Sequence, residues 1–284
     1  MNMTTRTALA ILLLLLSTTL SEGGEPRQDT LRAWDDYIRA VNSNIAERTG
    51  GSKPFLWVDD SAEIQRRVQH NEVVVTSHDP HKVPQGLIHH WIGAMFVPNT
   101  TLDQVMTVLK SYDRYNELYK PLITKVLVLE RDGDNVKLTV VAVQKAFSVT
   151  AAVETDDEVK IVRPDPNRVL ITSNAVRVQE IADYGQPSEH PFAEARRPGY
   201  VWRAVVVQRL EQRDGGVYVE FETVSLSRGI PLEVRWLIKP LTDNLPRKLM
   251  LDMLNDTRTA VQQEGTVDPV KNLGLAGVHE PDRR

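Results

Sequence analysis

The sequence predicts an α+β fold: a curved antiparallel sheet wrapped around one long C-terminal helix, with an N-terminal helical extension. Three observations predict it. Near the C-terminus, in LPRKLMLDMLNDTRTAV (245–261), apolar residues recur at helical spacing over a broad face. Upstream, six strand-like runs between Ile123 and Ser227 are separated by short turn signals, which makes their pairing antiparallel. A helix with so wide an apolar face must cover something large, and the chain before it is mostly strand.

The elements follow in order. Residues 1–21 read as a signal peptide: Arg6 precedes an apolar run from Ala8 to Leu16, then small and polar residues, with cleavage after Ser21. That run is too short to cross a bilayer as a stable helix, although an uncleaved anchor is the alternative. Either way the folded part is expected outside the cytoplasm, periplasmic or secreted. Residues 22–83 form the N-terminal helical extension. Within it Asp29–Arg48 places Leu31, Trp34, Ile38, Val41 and Ile45 on one helical face. A second helix, Ala62 to about His70, can be capped by Asp59, Asp60 or Ser61. Val73–Thr76 is a short strand, and Pro80, Pro84 and Gly86 mark a turn-rich connection.

The main domain covers 84–264. It opens with the strand LIHHWIGAMFV (87–97), followed by a helix from Thr101 to about Leu109 and another short one from Asp113. The strands are Ile123–Glu130, Val136–Lys145, Phe147–Val162, Arg168–Ile181, Tyr200–Gln212 and Gly216–Ser227. A short helical piece over Leu232–Lys239, a kink at Pro240 and a main helix from about Asn244 to Gln263 close the domain. On that helix Leu241, Leu245, Leu249 and Met253 form the expected apolar stripe, with Leu251, Leu254 and Val261 beside it. The last residues, 265–284, read as a mobile tail.

Composition narrows the function. There is no cysteine, so disulfides and thiol chemistry are excluded. A net charge of −4 with well-mixed signs argues against a nucleic-acid partner. No glycine-rich phosphate loop, nucleophile elbow or HExxH is present, and no catalytic residue or cofactor is implied. Five of the seven histidines lie between His70 and His90. Adjacent strand residues point to opposite faces, however, so His89-His90 reads against a metal site.

The last hairpin can be phased. With Asp214-Gly215 as the turn, Arg209 opposes Glu220. One face then carries Arg203, Val205, Val207 and Arg209 against Glu220, Glu222, Val224 and Leu226. The other, more apolar face carries Trp202, Ala204, Val206 and Leu210 against Val219, Phe221, Thr223 and Ser225, and is assigned to the side under the helix. Trp202, Ala204, Val219, Phe221, Thr223, Ser225, His89, Tyr119, Leu249 and Met253 are therefore the candidate lining of a cavity. Simple packing on the helix is the competing role for each. Tyr112, Arg114, Tyr115 and Tyr119 either brace a short helix against the sheet or meet a ligand's polar head.

The order strand, helix pair, six strands, C-terminal helix resembles the START-like helix-grip superfamily of lipid-transfer domains, plant ligand binders and aromatic polyketide cyclases. TLDQVMTVLKSYDRYNELYKP (101–121), RLEQRDGGVYVEFETVSLSRGIP (209–231) and the closing helix carry the resemblance, which also extends to exported bacterial members with an N-terminal helical extension. It implies that a hydrophobic small molecule or lipid binds in the sheet–helix cavity, with peripheral membrane contact conceivable for such a carrier. A polyketide cyclase or dehydratase-like enzyme is one alternative. An interaction scaffold without a ligand is the other.

Overall fold

The computed structural model describes residues 25–146, 149–193, 201–229 and 232–265. The expected signal peptide, and the tail after Gly265, lie outside the described residues. Helix α1 (Gln28–Thr49) is followed by a 3-10 turn (Trp57–Asp60) and α2 (Ala62–Gln69). Of the three candidate caps it is Ser61 that holds α2, accepting from the Ile64 N–H at 3.4 Å. Strands β1 (Val74–Ser77), β2 (His81–Val83) and β3 (Gly86–Pro98) lead to α3 (Leu102–Lys110). A capping box starts α3, in which Thr101 and Gln104 each satisfy the other's backbone N–H. After a second 3-10 turn (Tyr112–Arg114) comes α4 (Tyr115–Leu118). The remaining strands are β4 (Ile123–Asp132), β5 (Asn135–Ala146), β6 (Val149–Asp165), β7 (Arg168–Ala182), β8 (His190–Pro191), β9 (Arg203–Arg213) and β10 (Gly216–Arg228), and α5 (Leu232–Gly265) closes the fold. Among the described strands, β2 and β8 are new relative to the sequence reading. At three and two residues they are too short to show a period.

All ten strands join one antiparallel sheet in the order β1-β3-β10-β9-β7-β6-β5-β4, with β2 beside β3 and β8 beside β7. The first long strand therefore pairs with the last. The β9–β10 register places Arg209 opposite Glu220, as the turn implies. Asp214 and Gly215 both take positive φ, 55° and 76°, which a two-residue hairpin turn of matching twist requires.

Both faces of this sheet are covered. On the inner face Met95, Val97, Leu210, Val217 and Val219 pack against α3 and the second half of α5. On the outer face Trp34, Val41 and Ile45 of α1 pack on Ile88, Leu170, Val207, Val224 and Leu226. Phe55, Leu56, Val58 and Val68 extend that layer over Val74, Ala94, Phe96 and Tyr218. The N-terminal extension is thus a third layer.

Helix α5 corrects two expectations. It runs as one helix from Leu232 to Gly265, where two pieces separated at Pro240 were expected; proline removes one helical donor without having to end the helix. The buried set on its described side chains is Met250, Leu254, Thr257, Ala260 and Val261, while Leu249 and Met253 are half-buried. The expected stripe is therefore one residue out of phase, about 100° around the axis. Gly93 supplies a reason. A Cβ there would sit 2.8 Å from Met250 Sδ and 2.9 Å from Leu254 Cδ1, so these two side chains seat directly over this glycine. The side chains of Leu241 and Leu245 fall outside the described residues.

Candidate functional site

Under α5 the described residues enclose a cavity of about 30 Å³, roughly the space of one water. Leu109, Val219, Phe221, Met253 and Leu254 supply its apolar walls. Its polar lining is Tyr115, Tyr119, Gln208 and Thr257. Tyr119 Oη lies 3.0 Å from Thr257 Oγ1, and Tyr115 Oη donates to the Leu109 carbonyl at 2.6 Å. Burial lifts both phenols above their ordinary range, Tyr115 the further. These tyrosines brace α4 against α3 and α5, and Arg114 pairs with Glu264 on α5. Gln208 Oε1 is buried with no hydrogen-bond partner among the described residues.

Four of the expected lining residues, Tyr119, Val219, Phe221 and Met253, meet at this cavity. His89, Ala204, Thr223 and Ser225 share the inner face by strand alternation and are half-buried. His89 Nε2 lies 2.9 Å from Ser227 Oγ, and burial depresses its pKa. Leu249 does not line the described cavity, for the phase reason given above. Trp202 is a further correction: it packs in the outer cluster, with Trp34, Ile88 and Leu226 among its members. It precedes the first paired residue of β9, Arg203, and strand alternation does not govern a side chain outside the ladder.

The polar groups that converge most closely lie on the other side of the sheet. Between α1 and strands β3, β9 and β10 is an open pocket of about 460 Å³. At its floor Arg209, 1% exposed, donates from Nη1 to Glu222 Oε2 at 2.6 Å. Glu222 Oε1 lies 2.7 Å from His90 Nε2, and His90 Nδ1 lies 2.9 Å from Tyr37 Oη. Because an ionised carboxylate only accepts, Nε2 carries the proton in that contact. His78 stacks on His90 with ring centres 4.4 Å apart. Arg48 closes one side, donating to Asp60 Oδ2 at 2.5 Å and to the Pro54 carbonyl at 2.8 Å.

Two glutamates two residues apart on β10 are driven in opposite directions. Burial alone would raise Glu222, but the hydrogen bond from His90 and the charge of Arg209 prevail and hold it at about 2. Burial pushes Glu220 up to about 7, against the pull of Arg209 and of the N–H groups of Trp57 and Val58. Its Oε1 accepts from Val58 N at 2.9 Å, while Oε2 has no hydrogen-bond partner among the described residues. Tyr37 is raised by burial and by the charge of Glu222.

Sequence reasoning places Arg209, Glu220 and Glu222 on the face away from α5, but it does not bury them. The signal that could have done so is the apolar stripe of α1. It needs a partner, and α5 already occupies the inner face.

The strand order, the α3–α4 pair after β3 and the closing α5 define a START-like helix-grip fold with an added outer layer. No protein-family model matches the chain, and no curated protein matches it. Among solved structures it is similar to human StAR-related lipid transfer protein 5, with 13% identity and a TM-score of 0.45 over 78% of this chain and 99% of that one. An aromatase/cyclase from a Streptomyces species matches at 11% identity and TM-score 0.45, over 63% of this chain and 97% of that one. A STAR-related lipid transfer protein from Xanthomonas axonopodis matches at 14% identity and TM-score 0.42, over 66% and 98%. The likeness is partial in each case, and the fold is assigned from the chain's own topology.

Proposed function

We propose that this is an exported protein that binds a hydrophobic small molecule or lipid between the inner face of the sheet and α5. The observation that carries the reading is Gln208 Oε1, a buried acceptor in the cavity lining left without a hydrogen-bond partner among the described residues. A ligand hydroxyl donating to it would remove the penalty of an unsatisfied buried group, about 1–3 kcal/mol. Small and hydroxylated side chains at Ala204, Thr223 and Ser225, all half-buried on the same face, leave room where a filled core would carry leucine or isoleucine. The described cavity is far below the several hundred Å³ of a small-molecule site, so binding requires α5 to shift outward.

Two measurements test this. Native mass spectrometry of the purified protein should find a hydrophobe that travels with it. Titration with a fluorescent fatty acid and a fluorescent sterol should saturate for at least one, and Ser225→Trp should weaken that binding at least tenfold. If neither probe binds and nothing co-purifies, the interaction-scaffold reading replaces this one. Export predicts a mature terminus near Glu22, and an intact Met1 on cytoplasmic protein would exclude it.

A further inference from the structure

The outer pocket is lined by a buried donor with no hydrogen-bond partner among the described residues. Arg209 lines the pocket and commits Nη1 to Glu222, while Nη2 is buried with no hydrogen-bond partner among the described residues. We propose that the pocket between α1 and strands β3, β9 and β10 is a second ligand site, which takes a small carboxylate. One carboxylate oxygen accepts from Arg209 Nη2, and the apolar body of the ligand lies against Tyr37, Trp57 and Ile92.

Three features select this class of ligand. The pocket, about 460 Å³, lies within the range of small-molecule sites. A guanidinium N–H donates a charge-assisted hydrogen bond to a carboxylate oxygen, and bonds of this kind are the strong ones. The acids on the walls are already matched: Glu222 by Arg209 and His90, and Asp60 by Arg48. A cation would find no open acceptor in Glu222. The remaining acid nearby, Glu220, lies behind Arg209, with Oε2 3.8 Å from Nη1. Because burial already raises it to about 7, it can take up a proton when a second carboxylate arrives.

The test uses the purified full chain and four probes: acetate, benzoate, phenylacetate and cyclohexanecarboxylate, with benzamide and phenylacetamide as neutral counterparts. Calorimetric titration should show saturable binding of at least one carboxylate, with its amide at least tenfold weaker. Arg209→Met should abolish the binding but can unfold the protein. Ala40→Trp, an exposed position on the pocket rim, therefore serves as the second variant. It should lower carboxylate affinity at least tenfold while the melting temperature without ligand stays unchanged. The proposal is overturned if none of the four carboxylates saturates, if amides bind as well as acids, or if Ala40→Trp leaves the affinity intact.

Discussion

On the inner face of the sheet, α5 rests on Gly93, Leu210 and Val219 through apolar contacts and leaves room for about one water. On the outer face, α1 and the 3-10 turn after it cover Arg209, Glu220 and Glu222, all at most 3% exposed, and leave an open pocket floored by charged groups. The first arrangement follows from hydrophobic burial, about 25 cal/mol per Å² of apolar surface removed from water. The second runs against it, because desolvating two acids and a guanidinium costs several kcal/mol per ion before pairing offsets it. An outer face built for stability alone would carry valine or leucine at these positions. The difference teaches that the inner layer accounts for cohesion, while the charged outer layer needs a reason beyond it.

The largest expected effect sharpens that contrast. Arg209→Met leaves Glu222 buried beside His90 alone and should destabilise the chain by about 3–5 kcal/mol in urea denaturation. Arg209→Met combined with Glu220→Leu and Glu222→Leu should recover most of that loss. If the single change is as mild as the triple, the outer charges are not coupled.

On the inner side, Leu254→Ala should cost about 3 kcal/mol and Leu249→Ala less than half of that, by the same measurement. Equal costs would return the helix to the phase expected from its sequence.

The pH dependence separates the two glutamates. Glu220 has a folded pKa raised from 4.5 to about 7, so its contribution is fully present below pH 4.5 and is lost as pH rises toward 7. The slope is on the order of 1 kcal/mol per pH unit, and Glu220→Gln should flatten it. Glu222, lowered from 4.5 to about 2, does the reverse: its contribution is present above pH 4.5 and is lost as pH falls through 2. A stability difference between wild type and Glu220→Gln that stays constant from pH 4.5 to 7 would contradict the upward shift of Glu220.

Smaller effects bound the comparison. Gly93→Ala inserts a methyl against Met250 and Leu254 and should cost about 1–3 kcal/mol. Lys248→Ala removes only the exposed pair with Asp252 and should change stability by at most about 0.5 kcal/mol.

Strand alternation and turn chemistry made the sheet legible. Asp214-Gly215 dictated the hairpin register, and Gly86 and Pro98 bounded β3, because backbone preference acts locally. The phase of α5 was not legible, since Leu249, Met250, Leu254 and Val261 together offer two adjoining apolar stripes. What chose between them is Gly93, a contact more than 150 residues away. The outer site failed for a different reason. Arg and Glu alternating along a strand carry the pattern of a solvated face, and only the third layer turns them inward. Of the candidate lining, Val219, Phe221, Tyr119 and Met253 were legible as a group because strand phase alone put the first two under the helix.

The outer layer also orders events in time. Val58 reaches Glu220 across 162 residues of chain, and Thr30 Oγ1 bonds the Pro84 carbonyl at 2.6 Å. Synthesis delivers α1 first and β10 nearly last, so the apolar stripe of Trp34, Val41 and Ile45 has no native surface to cover until the sheet is almost complete. A helix made well before the sheet is thus among the last elements to dock. In the interval it is an unpartnered amphipathic helix, the kind of exposed surface that chaperones hold and that export machinery accepts unfolded.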